Sequence, residues 1–180
     1  SIMNFLIGSD IHGSYYYAKI FFSKAEKYNP EKIILLGDFY YSGARNIPPK
    51  DYSPRECVQL VNSYADKIIA IKGNCESEVD QRVSPFLFSE IGTRYVFGKQ
   101  ITRTHGHHYS FENLPQNPGD IFLQGHTHIG VLEKKENLIL ANPGSISLPK
   151  DNRHSYRIRN EEGIKLIDLL TDEIVKEIKF

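Results

Sequence analysis

The sequence predicts an α/β fold in which a mainly parallel sheet is built first and antiparallel strands follow. Three observations predict it. Apolar runs at residues 4–9, 32–37 and 67–73 are too short for helices and are separated by segments with helical spacing. Strand, helix, strand, helix, strand is the pattern of right-handed βαβ units. Beyond Pro85 the helical spacing gives way to short strands punctuated by polar turns. At 180 residues the chain reads as one domain, residues 1–180, large enough to build a core without disulfides.

Taken in order, Asn4 to Ser9 reads as a buried strand that ends at Asp10-Ile11-His12-Gly13. A helix follows from Ser14 to Tyr28, with Ala18, Phe21, Phe22, Ala25 and Tyr28 on one apolar face. Tyr15, Tyr16 and Tyr17 open it and read as packing and surface aromatics rather than a base-stacking platform. Asn29-Pro30 breaks the helix. Lys32 to Gly37 is a continuous apolar run, as expected of a strand covered on both faces, and it ends at Asp38. Phe39 to Tyr52 is a long loop of the kind that is often functional. Ser53-Pro54-Arg55-Glu56 predicts a helix start with a capping box, and Cys57, Leu60, Val61 and Tyr64 predict its buried face. Cys57 therefore reads as a small core residue.

Lys67 to Gly73 predicts the third strand, ending at Asn74-Cys75-Glu76, and Ser77 to Val83 predicts a short helix. Arg94–Phe97 and Gln100–Thr104 read as a hairpin around Gly98-Lys99, running into His105-Gly106-His107-His108. Ser110 to Gly119 reads as a loop with one helical turn. Strands are expected at Ile121–Gln124, Gly130–Glu133 and Leu138–Ala141, and an antiparallel meander at Ser155–Ile158, Ile164–Leu169 and Glu173–Phe180.

Composition narrows the function classes. Lys+Arg and Asp+Glu both total 22, so the chain lacks the electrostatic footprint of non-specific nucleic-acid or membrane binding. Two cysteines without a CxxC suit a reducing compartment. No apolar run approaches the roughly 20 residues of a membrane span. The stretch Ser1 to Ile7 is apolar only briefly and lacks a basic segment, so it does not read as a signal peptide. Ser1-Ile2 ahead of Met3 reads as a processed or added start. The expectation is a soluble cytoplasmic protein.

The chemistry lies in the strand ends. Asp10 and His12, Asp38, Asn74, His105, and His126 and His128 all follow predicted strands. In an open α/β sheet such ends form the functional crevice. In an extended segment residues i and i+2 point the same way, so His126 and His128 are expected to reach one small volume. Each residue alone has a bland reading as a cap, turn former or surface histidine. Carboxylate, amide oxygen and imidazole together suit manganese, iron, nickel or zinc. Seven ligands exceed the needs of one tetrahedral ion and suit two ions sharing a carboxylate. Such a pair, roughly 3.5–4 Å apart, suits in-line displacement at phosphorus.

Asp10-Ile11-His12, Gly37-Asp38, Gly73-Asn74, His105 and Gly125-His126-Thr127-His128 resemble the calcineurin-like metallophosphoesterase superfamily. Gly43-Ala44-Arg45-Asn46, Gly73-Asn74-Cys75-Glu76 and Asn142-Pro143-Gly144-Ser145 look like its small bacterial phosphodiesterases. The resemblance implies a four-layer α-β-β-α sandwich of two mixed sheets. It implies that Asp10, His12, Asp38 and His128 hold a first ion, and that Asn74, His105 and His126 hold a second, with Asp38 bridging. It implies two divalent ions, most often Mn2+, with Zn2+, Ni2+ or Fe2+ as alternatives, and hydrolysis of small-molecule phosphodiesters by a metal-bridging hydroxide. Relatives also suggest a homodimer.

One position departs from the pattern. Much of the superfamily has histidine after the Asn ligand, where it assists the leaving group, and this chain has Cys75. A thiol beside dications favours the thiolate and is a poor proton donor. Diesters with good leaving groups are therefore expected to outrun unactivated monoesters. His107 is a substitute acid or a solvated turn residue, and Glu76 is expected to orient a ligand. Arg45 and Lys150 are candidate phosphate contacts or ordinary loop charge. The alternative reading is a catalytically weak scaffold for protein interaction, since a subunit of the retromer complex shares this fold; the complete ligand set argues against it. A dinucleotide-binding oxidoreductase is excluded, because Gly8-Ser9-Asp10 places a carboxylate where a pyrophosphate needs bare backbone.

Overall fold

The structure, a computed structural model, describes residues 3–180, so the reading of Ser1-Ile2 lies outside the described residues. The first sheet grows from β1 (Phe5–Gly8), β2 (Lys32–Leu35) and β3 (Ile68–Ile71), which pair in parallel. Two helices, α1 (Tyr15–Tyr28) and α2 (Pro54–Asn62), are the crossovers between them. A short α3 (Glu78–Arg82) leads to a two-residue β4 (Phe88–Ser89) that extends the parallel side.

The chain then builds a second sheet from β5 (Ile91–Val96), β6 (Lys99–Thr104), β7 (Ile121–Leu123), β8 (Gly130–Lys135) and β9 (Leu138–Pro143), in the order β5-β6-β7-β9-β8. It returns to the first sheet as the meander β10 (Ser155–Asn160), β11 (Gly163–Asp168) and β12 (Ile174–Lys179), with β10 antiparallel to β1. The two mixed sheets have seven and five strands, as the expected α/β architecture requires.

Strand alternation explains the packing. Leu6, Ile33, Leu35 and Ala70 face Ala18, Phe21, Phe22, Cys57 and Val61 of the helices. Their neighbours Phe5, Ile7, Ile34, Leu36 and Ile71 face Ile101, Ile121, Leu123 and Leu132 of the second sheet. Truncating a buried aromatic such as Phe21 to alanine removes packing worth about 3–5 kcal/mol. The outer face of the second sheet is covered by loop, with Phe111 edge-on against Phe122 at 6.2 Å. Burial pushes the Cys57 thiol up to about 12, consistent with an inert core residue.

Two buried arginines tie the sheets together. On β10, Tyr156 and Ile158 face the helices, so Arg157 and Arg159 face inward. The Arg157 guanidinium donates to the carbonyls of Val131 and Asn142, and Arg159 donates to that of Val96 at 2.9 Å. Burial lowers them to about 9 and about 10, still cationic at neutral pH.

Several local expectations shift. Ser53 gives no side-chain bond to the α2 backbone; its hydroxyl meets the Glu56 carboxylate at 3.3 Å instead, because its backbone is already held by Gly13. The capping box forms on α3, between Ser77 and Asp80. Lys67 closes a 3-10 turn rather than opening β3, and α2 ends before Tyr64. The hairpin turn is Phe97-Gly98, since Val96 pairs with Lys99, and both turn residues take positive φ, 51° and 74°. Residues 110–119 contain no helical turn.

Candidate metal centre

Backbone pairing continues past the strand ends and sets the site loops in register. Asp10 N–H donates to Gly37 at 3.0 Å, His12 N–H to Asp38 at 2.9 Å, and Gly125 N–H to His105 at 2.8 Å. Asp10, His12, Asp38, His126 and His128 all take left-handed φ, between 50° and 71°. Each such non-glycine residue costs on the order of 1–2 kcal/mol, and such strain gathers where geometry serves function. This corrects the expectation for the Gly125 segment. His126 and His128 do not converge by extended alternation; left-handed turns aim them into two adjoining groups.

Asp10, His12 and His128 form the first group, and Asp38, His105 and His126 the second, with ligand atoms within 4.8 Å of one another in each. Asn74 joins the second, its Oδ1 lying 2.9 Å from His105 Nε2 and 3.1 Å from His126 Nδ1. Asp38 touches both groups, with Oδ2 3.6 Å from His12 Nε2 and 3.1 Å from His105 Nε2. All seven side chains that the sequence singled out are thus brought to one place.

The surrounding hydrogen bonds aim the lone pairs inward. His12, His105 and His128 each donate Nδ1–H to a backbone carbonyl, of Tyr41, Leu36 and Leu148 respectively. That leaves the lone pair of each Nε2 free to face inward. Asp10 Oδ2 accepts from Ser9 Oγ at 2.6 Å and from His126 N–H at 3.0 Å. Its Oδ1 is buried with no hydrogen-bond partner and faces His12 Nε2 at 3.4 Å and His128 Nε2 at 3.3 Å. An orphaned carboxylate oxygen among inward-facing imidazole lone pairs fits a divalent cation.

The electrostatics agree. Burial opposes charge on His12, yet the Asp10 carboxylate, the Cys75 side chain and the Asp38 carboxylate raise it to about 11. Burial opposes charge on His105 as well, and Asp38 raises it to about 9. Burial also works against ionisation of Asp10, but the imidazoles of His12 and His128 beside it hold the carboxyl well below the usual range. The centre attracts positive charge.

Residues 3–162 match the calcineurin-like phosphoesterase superfamily domain. The chain belongs to this superfamily. It is 34% identical over 180 residues to phosphodiesterase YfcE of Escherichia coli K12, covering 98% of both chains. The solved structure of YfcE, described as a phosphoesterase, superposes with a TM-score of 0.95 at 33% identity over 98% of this chain and 99% of that one. Zinc-complexed Vps29 from Entamoeba histolytica shares the fold at 17% identity, with a TM-score of 0.67 over 98% of this chain and 99% of that one.

In this phosphoesterase the centre floors a cavity of about 770 Å3. Cys75, Arg45 and Lys150 line it. Cys75 N–H donates to Asp38 Oδ1 at 2.9 Å, so its backbone supports the shared carboxylate. Glu76 accepts the N–H groups of Asp38, Phe39 and Gly73, and burial pushes its carboxyl up to about 7. His107 is not brought into this cavity; it lines a separate one with Glu90 and Tyr109, and burial lowers it to about 4. The sequence reading gave Ser145, Ser147 and Asn142 no role. Both serine hydroxyls donate to the Asp10 carbonyl, and Asn142 donates to Gly125 O and Thr127 Oγ1, clamping two site turns. The Asn142-Pro143-Gly144-Ser145 motif was the available signal.

Proposed function

We propose that the chain is a metal-dependent phosphodiesterase acting on small-molecule phosphodiesters through two divalent ions, manganese first among them, with zinc, nickel and iron as alternatives. The observation that carries this reading is Asp38, whose carboxylate lies between the two groups of imidazoles. Asp10, His12 and His128 would hold one ion, and Asn74, His105 and His126 the other, with Asp38 shared. When bound, such ions act as Lewis acids toward phosphoryl oxygens and lower the pKa of water.

The chain's own residues supply the frame. Backbone carbonyls fix the tautomers of His12, His105 and His128, Glu76 fixes the Asp38 backbone, and Ser145 and Ser147 hold Asp10. Arg45 and Lys150 at the cavity wall attract the phosphate anion. The named activity of the YfcE relative, over nearly the whole of both chains, supports the reaction class. The likeness to Vps29 supports the fold alone and does not favour the scaffold reading. Chelator-treated protein given manganese and bis(4-nitrophenyl) phosphate tests the proposal. Release of 4-nitrophenolate that depends on manganese and is lost in Asp38→Asn is expected; no release with any of the four metals ends it.

A further inference from the structure

A second groove of about 510 Å3 adjoins the catalytic cavity, and Arg45, Asn46, His128 and Lys150 line both. His12, Asn74, Cys75 and His126 line only the first, so the groove leads away on the His128 side. Its lining includes three cations, Arg45, Lys50 and Lys150, and no carboxylate. In a chain whose acidic and basic residues balance at 22 each, that is a concentrated local excess of positive charge.

The groove is framed rather than loose. Ser14 Oγ donates to the Lys50 carbonyl at 2.6 Å, and Lys150 N–H donates to the His128 carbonyl at 2.9 Å. The Lys50 ammonium rests 3.9 Å from the centre of the Tyr16 ring, an attraction of cation to ring face. Tyr17 and His154 stack with centroids 4.0 Å apart and 17° between planes, giving the groove a flat wall. His154 is held there by donating Nδ1–H to the Ile146 carbonyl at 2.7 Å.

We infer that this groove receives one arm of the phosphodiester and selects an arm ending in an anionic group, a phosphate or a carboxylate. The inference rests on the phosphodiesterase reading of the adjoining centre. Arg45 and Lys150 sit at the junction, where they meet the scissile phosphate, and Lys50 stands further along for the terminal anion. An anion there gains attraction with no carboxylate to repel it. A neutral arm gains no such attraction.

The test uses three diesters with the same 4-nitrophenyl leaving group and a propyl, 3-phosphopropyl or 3-carboxypropyl arm, with the manganese-loaded full chain. At low salt the better anionic arm is expected to show kcat/KM about tenfold above the propyl arm, carried by KM, as three solvent-facing cations of modest strength allow. The gap should close in about 0.5 M salt as screening shortens the range of the attraction. Lys50→Ala should shrink the ratio about threefold and Lys50→Arg should keep it. Whichever anion is preferred names the group. Equal or lower kcat/KM for both anionic arms, or a ratio that Lys50→Ala leaves unchanged, overturns the inference.

A binding measurement separates the two readings. Propane-1,3-diyl bisphosphate should bind the manganese-loaded protein about tenfold tighter than propyl phosphate in calorimetry, and Lys50→Ala should reduce that difference. Tighter binding without turnover of any diester upholds the groove and refutes the phosphodiesterase reading. Equal binding refutes the groove.

Discussion

The Nε2 atoms of His12 and His128 face each other at 3.1 Å, although 116 residues separate them in sequence. Each ring donates its Nδ1–H to a carbonyl, so two lone pairs point at one spot. A proton or a metal ion must lie there to offset their repulsion. Calorimetric titration of chelator-treated protein with manganese should show two sites, and His128→Ala should remove one while the site at Asp38, His105 and His126 persists. Metal at a hundred times its Kd should stabilise the fold by about 2.7 kcal/mol.

Glu76 holds the backbone of Asp38, Phe39 and Gly73 through one carboxylate. In Glu76→Gln an amide N–H2 faces backbone donors, so the Asp38 turn loosens. Metal affinity or activity should fall about 10–100-fold, the usual effect of disturbing the groups that orient ligands. Manganese titrations of activity check this; unchanged affinity and rate would show that Glu76 does not orient Asp38.

Cys75 supports Asp38 through its N–H, a bond that any side chain at this position preserves. A general acid typically contributes about 10²–10⁴-fold. Cys75→Ala should therefore lower turnover of an aryl diester by less than about tenfold. The wild type should hydrolyse aryl diesters faster than alkyl monoesters, because His107, the substitute acid, lines a separate cavity and does not reach a poor leaving group here. Equal rates on the two classes would reject this.

Gly73 passes so close to Asp38 that a Cβ there would lie 2.2 Å from its Oδ1. No flexible side chain can give way, since the Asp38 N–H and carboxyl are both fixed. Gly73→Ala should keep a cooperative unfolding transition while weakening manganese binding by at least about tenfold, an effect comparable to losing a group that orients a ligand. Circular dichroism with metal titration separates the two.

Away from the centre, Asp172 joins α1 to the meander. It lies 2.9 Å from Lys24 Nζ and 3.2 Å from Lys27 Nζ, and accepts Tyr156 O–H at 2.8 Å. Burial opposes its ionisation, but bonds from Lys24, Tyr156 and Lys27 hold the carboxyl below its usual value. A depressed carboxyl contributes stability above its unfolded pKa of about 3.9 and loses it as pH falls through the lower folded value. Asp172→Asn should cost about 1 kcal/mol near neutrality, given its partial exposure. Urea unfolding should show that difference constant above pH of about 4 and shrinking below.

The sequence by itself determined the parallel strands, their helical crossovers and the seven polar residues at the strand ends. Apolar runs and helical spacing are local properties, and glycines at Gly8, Gly37, Gly73 and Gly125 mark where each run closes. Tertiary structure alone decided how those residues divide into groups. The partition of His126 from His128 depends on left-handed backbone that the register between β1, β2 and the second sheet imposes. It also decided that Arg157 and Arg159 are buried, since only the opposing sheet offers them carbonyls. The groove of Arg45, Lys50 and Lys150 likewise exists only because two loops about 100 residues apart meet beside His128. Short-range pattern fixes which faces are apolar, whereas convergence of distant side chains follows from long-range pairing, which no local window contains.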